Sequence, residues 1–169
     1  MNTKTLTRTA LLIALLVAVQ YVTKAAGQIV TGSAVNLILA TAALTCSLWS
    51  GIAIALISPF CAFLLGIGTP ILQLVPAIAL GNAVYVAALV LFTSKTNFKG
   101  NTVAAVLLAA VLKFLTLYGV IVCLLLPLMG LPEAKVAVLS ATFSYPQLIT
   151  ALIGGALALI ITPALKKLR

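Results

Sequence analysis

Apolar residues run along this chain in long blocks separated by short polar or glycine-rich breaks. A helix needs roughly 20 apolar residues to cross a hydrocarbon core. Residues 5–23 form the first such block. Residues 34–65 form an almost uninterrupted second block, too long for one helix at about 1.5 Å per residue. The Ser-Leu-Trp-Ser-Gly stretch at 47–51 is its natural dividing point, with Trp49 at an interface. Residues 71–92, 102–127 and 146–165 complete the set. The pattern predicts an all-α integral membrane protein, a bundle of six transmembrane helices forming a single domain over residues 1–169.

Charge changes this picture by orienting it. Six spans put both ends, and the connection between spans four and five, on one side. Lys4, Arg8, Lys95, Lys99, Lys166, Lys167 and Arg169 fall there, whereas only Lys24 and Lys135 fall opposite and Lys113 lies inside a span. Positive residues concentrate in cytoplasmic loops, so the N and C termini are expected in the cytoplasm, with the chain in the cell membrane. Residues 1–27 also have the outline of a secretory signal peptide. Cleaving it would scatter the same lysines over both sides, so the segment is read as span one. The outer connections then cover residues 24–33, 66–70 and 128–135, where Gly27, Gly32, Gly66, Gly68, Pro70, Gly130 and Pro132 favour compact, irregular lids.

Composition agrees and excludes several chemistries. Hydrophobic residues make up 64% of the chain and charged residues 7%, for a net charge of +9. A soluble globule of this size could not hide that much apolar surface. The positive charge follows membrane topology instead of forming a nucleic-acid-binding face. With no His, no Asp and a single Glu (Glu133), there is no carboxylate pair, no triad, and no metal cluster of His or carboxylate ligands. Cys46, Cys61 and Cys123 lack CxxC spacing and are expected as buried small hydrophobes. No phosphate-binding Gly-Lys-Ser/Thr loop is present, so the chain does not itself hydrolyse ATP. No enzymatic activity and no cofactor is expected.

A few polar residues interrupt the apolar blocks. Lys113 lies ten or more residues from either end of span five, where a charge costs about 2.5–3.5 kcal/mol on insertion scales. No span contains an acid to pair with it. It must face carbonyls, polar side chains, water or an anionic ligand, or else be neutral. Gln20, Asn36, Gln73, Asn82 and Gln147 lie in or at the ends of spans, most of them toward the outer side near Lys24. They are either interhelical hydrogen-bonding groups or contacts for a small polar ligand, with Tyr118, Tyr145 and Phe143 as stacking partners. Ala10, Ala14 and Ala18 recur every four residues on span one and let another helix approach closely, from this chain or from another protein. Ser58-Pro59, Pro76 and Pro163 are expected to interrupt or end helices.

The opening Leu6-Thr7-Arg8-Thr9-Ala10-Leu11-Leu12-Ile13-Ala14-Leu15, with Ala18 one turn on, resembles the substrate-binding S components of energy-coupling factor (ECF) vitamin transporters. The stretch from Ser58-Pro59-Phe60 to Gly66-Ile67-Gly68 and the run from Pro76 to Asn82 are similar to that family too. The resemblance implies capture of a water-soluble vitamin or related micronutrient at the outer face, beneath loops one, three and five. It also implies delivery through a separate transmembrane coupling subunit driven by two ATPase subunits. Ala10, Ala14 and Ala18 would then dock on the coupling subunit, and the outer loops with the amide set would form the pocket. A thiamine-type pocket rich in tryptophan is not expected, since Trp49 is the only Trp and lies at the wrong end. Lys113 favours a neutral or anionic ligand. The alternative reading is a self-sufficient small channel or secondary transporter.

Overall fold

The computed structural model describes residues 3–94 and 99–167, and among them every regular element is helical. Helix α1 (Thr3–Thr23) passes through a short 3₁₀ turn at Lys24–Ala26 into α2 (Gly27–Thr45). Then follow α3 (Leu48–Leu64), α4 (Val75–Ser94) and α5 (Lys99–Leu117). The axis of α5 continues as a π-helical segment, Tyr118–Leu125, closed by the single turn α6 (Leu126–Leu128). Helix α7 (Glu133–Thr142) and the long α8 (Tyr145–Lys167) complete the chain. Among the described residues, four apolar stretches are long enough to cross a membrane: Thr3–Thr45, which contains both α1 and α2, Leu72–Thr93, Thr102–Leu128 and Glu133–Leu165. Leu48–Leu64 is apolar but shorter.

The breaks follow local chemistry. The division between α2 and α3 falls at Cys46 and Ser47, where the Ser47 hydroxyl accepts the backbone N–H of Ser50 and caps α3. Trp49 stands exposed at that end. Glycine with positive φ shapes the opposite end, at Gly66, Gly68 and Gly130.

Several expectations are corrected. The first connection is no ten-residue loop: Gly27 turns the chain at φ 84° and α2 is helical from there, so Gly32 packs inside a helix. Helix α7 occupies part of the expected third loop and of the connection to α8. Pro132 precedes it and Glu133 sits in its first turn, where a carboxylate suits the helix dipole. Pro76 starts α4 instead of breaking it, at a position where no helical N–H is lost. Pro59 and Pro163 do lie inside helices. The cysteines are free but not buried, Cys123 being exposed, because apolar positions in such a bundle also face outward. Of the basic residues used for orientation, Lys95 and Arg169 lie outside the described residues, and Lys99 and Lys166 are described in backbone alone.

Two apolar clusters build the interior. The larger joins α1, α2, α3, α4, α5 and α8 around Leu16, Leu39, Ile54, Tyr85, Leu89 and Ala109. The smaller, around Leu74, Leu117, Ile121, Leu126 and Phe143, lies near the 65–71 loop and α7. Close approach of helices depends on glycine. On α2, Gly32 sits against Thr150 of α8, and on α8, Gly154 sits against Asn36 and the backbone of Leu37. The pairing is reciprocal, four residues apart on each helix, so α2 and α8 run in the same direction. Small residues at such crossings replace the hydrophobic driving force that lipid removes.

A side chain at Gly154 has no room, since an added Cβ would lie 2.6 Å from Asn36 Cβ and from the Leu37 nitrogen. Gly154→Leu should therefore destabilise the folded chain by about 1–3 kcal/mol through overpacking. Thermal unfolding in detergent measures this. Gly119→Ala is the control, because nothing lies within 4 Å of its added Cβ. Equal midpoints for the two variants would refute the tight α2–α8 crossing.

Candidate functional site

The helix that carries Lys113 passes between the two apolar clusters. Ala109 and Ala110 belong to the larger, and Leu117, one turn beyond Lys113, to the smaller. Lys113 is 3% exposed, and its Nζ donates to Asn36 Oδ1 at 2.6 Å and to Asn82 Oδ1 at 2.7 Å. It also lies 5.5 Å from the ring centroid of Tyr85, a cation–π distance. Three helices, α2, α4 and α5, thus meet on one ammonium group.

The amides are held in turn. Asn36 Nδ2 donates to Thr150 Oγ1 at 3.2 Å, and the Thr150 hydroxyl donates to the Gln147 carbonyl. This fixes which way the Asn36 amide points, so its oxygen faces Lys113. The Tyr85 hydroxyl donates to the Ala151 carbonyl at 2.9 Å, bringing α8 against α4. Gly155 makes that approach possible, because a Cβ there would meet the Tyr85 hydroxyl at 2.9 Å. The ammonium has no carboxylate partner. The chain's only acidic side chain, Glu133, is exposed on the first turn of α7.

Above this cluster the bundle is hollow. A cavity of about 430 Å³ reaches Lys113, Asn36 and Asn82 at one end and Lys24 and Gln28 at the other. That volume lies within the ordinary range for small-molecule sites, roughly 300–1,000 Å³. Its walls are largely apolar, with Val35, Phe63, Ile78, Leu139 and Phe143 prominent. Ile67, Gly68, Thr69 and Pro70 of the loop after α3 line it, as do residues of α7. Two lining residues carry buried oxygens without a hydrogen-bond partner, Gln20 Oε1 and Thr69 Oγ1.

Of the residues singled out from sequence, Lys113, Gln20, Asn36, Asn82, Gln147 and Lys24 come together around this cavity. Gln73, Tyr118 and Tyr145 are not among its lining residues. Gln73 is exposed on a 3₁₀ turn whose Leu74 points inward. Tyr118 and Tyr145 lie on the outer surface, flanking Phe114 at ring separations of 5.7 and 6.1 Å. Phe143 is buried and does line the cavity. Sequence reasoning missed Tyr85 and Thr150, although each follows a recognised amide by three residues, Asn82 and Gln147, and so shares its helix face. Ala10, Ala14 and Ala18 are all exposed on α1, so no helix among the described residues covers them.

Neither a curated protein nor a solved structure matches the chain. A family model does match, that of the ECF transporter substrate-specific component, over residues 4–166. With nearly its whole length covered, the chain belongs to the ECF transporter substrate-specific component family.

Proposed function

We propose that this chain captures a water-soluble vitamin or related micronutrient in the cavity above Lys113 and hands it on through a separate ATP-driven module. The observation that carries this reading is the lining itself. Five amide side chains and two lysines converge on a largely apolar cavity of ligand size, and two buried oxygens of its lining, Gln20 Oε1 and Thr69 Oγ1, lack partners. Unpaired buried polar atoms are costly, and a polar ligand supplies what they lack.

In this reading six helices cross the membrane with both ends in the cytoplasm, and the cavity opens outward. Helices α1 to α5 and α8 are the spans. The 17 residues of α3 reach the lower limit of spanning length. Lys24 and Gln28 stand at the entrance, and the 65–71 loop and α7 roof the site. The exposed face of Ala10, Ala14 and Ala18 is the docking surface for a transmembrane coupling subunit, which two ATPase subunits energise. The rival, a self-sufficient channel or secondary transporter, needs a path through the other half of the bundle. That half is filled by buried Leu39, Ala42, Val86 and Leu89.

The decisive experiment is binding by the purified chain alone, screened by thermal shift against water-soluble vitamins and their precursors. One strong stabiliser is expected, worth about 2.7 kcal/mol at a hundredfold excess over Kd. No response to the panel, together with substrate flux through liposomes holding this chain alone, would establish the rival reading.

Docking is separable from capture. Ala14→Trp should leave the binding curve unchanged and abolish co-purification with the coupling subunit. Retained co-purification would place the docking face elsewhere.

A further inference from the structure

Lys113 poses a problem of charge that the chain does not solve by itself. Its ammonium has three N–H donors, and the two Asn oxygens take two of them. Both acceptors are neutral amides. A buried ammonium normally relies on an anion for compensation, and the attraction is strong where water is excluded. The only acidic side chain, Glu133, is not among the cavity-lining residues. Lys24, the second cation of the lining, adds positive charge at the other end. The fixed sense of the Thr150–Asn36 relay keeps an amide oxygen, and no donor, against the ammonium. The lining therefore brings two cations and no anion to the cavity, and Lys113 Nζ is the one of them held deep in the bundle by neutral acceptors alone.

We infer that the cargo is a small organic anion whose carboxylate or similar oxyanion group takes the remaining N–H of Lys113, with an apolar body against Phe63, Ile78 and Phe143. This inference rests on the capture reading above and names its substrate class. A cationic ligand would add like charge to Lys113 with nothing to offset it. A neutral ligand would leave the ammonium as poorly compensated as before.

The test begins with the molecule the protein itself selects. Wild-type chain and Lys113→Met are purified in detergent from cells grown in rich medium, and bound small molecules are extracted and identified by mass spectrometry. The wild type is expected to carry one compound with an ionised oxyanion at pH 7, and the variant to be depleted of it. The identified acid and its neutral methyl ester or primary amide are then titrated into ligand-free protein. Neutralising the oxyanion should weaken binding to the wild type roughly 10- to 100-fold, the range for one charge-assisted hydrogen bond. In Lys113→Met the acid and its neutral form should bind alike. The wild-type comparison stands even where the variant fails to fold. Cargo without an acidic group, or equal affinity of the wild type for acid and neutral form, overturns the inference and leaves capture intact. A wild type that carries nothing and binds nothing overturns capture itself, and this inference with it.

Discussion

The structure turns on one ammonium group held in an apolar interior by two neutral amides. Lys113 draws Asn36 of α2 and Asn82 of α4 to within 2.7 Å, and through Asn36 it reaches Thr150 of α8. Each link is meaningful only because the next is fixed. If Thr150 did not accept from Asn36 Nδ2, the amide could turn its donor toward the lysine and the ammonium would lose an acceptor. The network therefore specifies the spacing of four helices, at the cost of leaving a cation without a counter-charge. Such a group inside a membrane bundle faces a cavity or a partner far more often than lipid, and here it does face a cavity.

Packing explains how the network can exist. Interhelical hydrogen bonds are short and directional, so the backbones must come close, and lipid provides no hydrophobic drive to bring them together. Glycine provides the proximity. Gly32 and Gly154 seat α2 on α8 at the level of Asn36 and Thr150, and Gly155 admits the Tyr85 hydroxyl to the α8 backbone. Alanine does similar work elsewhere in the larger cluster, at Ala40, Ala42, Ala109, Ala110, Ala151 and Ala158. The result is a bundle solid on one side of Lys113 and open on the other.

Much of this was legible in the sequence, and the misses have physical causes. Polar residues in apolar runs pointed to Lys113, Gln20, Asn36, Asn82 and Gln147, because their cost in lipid demands a reason, and Gln73 fell outside the cavity because it sits on an exposed turn. Rotation about the helix axis decided which of the others joined them. Tyr118 lies five residues after Lys113, about 140° round an α-helix, whereas Leu117, four residues on, faces inward. Tyr145 is two residues before Gln147 and so points nearly opposite. The same rule, applied to Asn82 and Gln147, would have found Tyr85 and Thr150. Short elements were harder. The ten residues of α7 are too few for a span, and the sequence draws attention to spans. The alanine repeat on α1 is a regular packing signal, whereas the α2–α8 crossing uses Gly32 and Gly154, which follow no short repeat and lie more than a hundred residues apart.

Helix α1 joins the two faces of the problem. Its buried residues Thr9, Leu16 and Gln20 look into the bundle, and Gln20 reaches the cavity. Ala14 and Ala18 lie two residues from Leu16 and Gln20, on nearly the opposite side, and are exposed. A filled cavity would press on the same rigid rod whose far face is free to meet another protein. The Lys113 network does not include α1; it is carried by α2, α4, α5 and α8. The Lys113 end of the cavity is therefore held independently of α1, the 65–71 loop and α7, which supply the rest of its lining. Under the proposed capture role, the lining thus divides between the fixed Lys113 network and groups such as Gln20 and Thr69 that ride on α1 and the 65–71 loop.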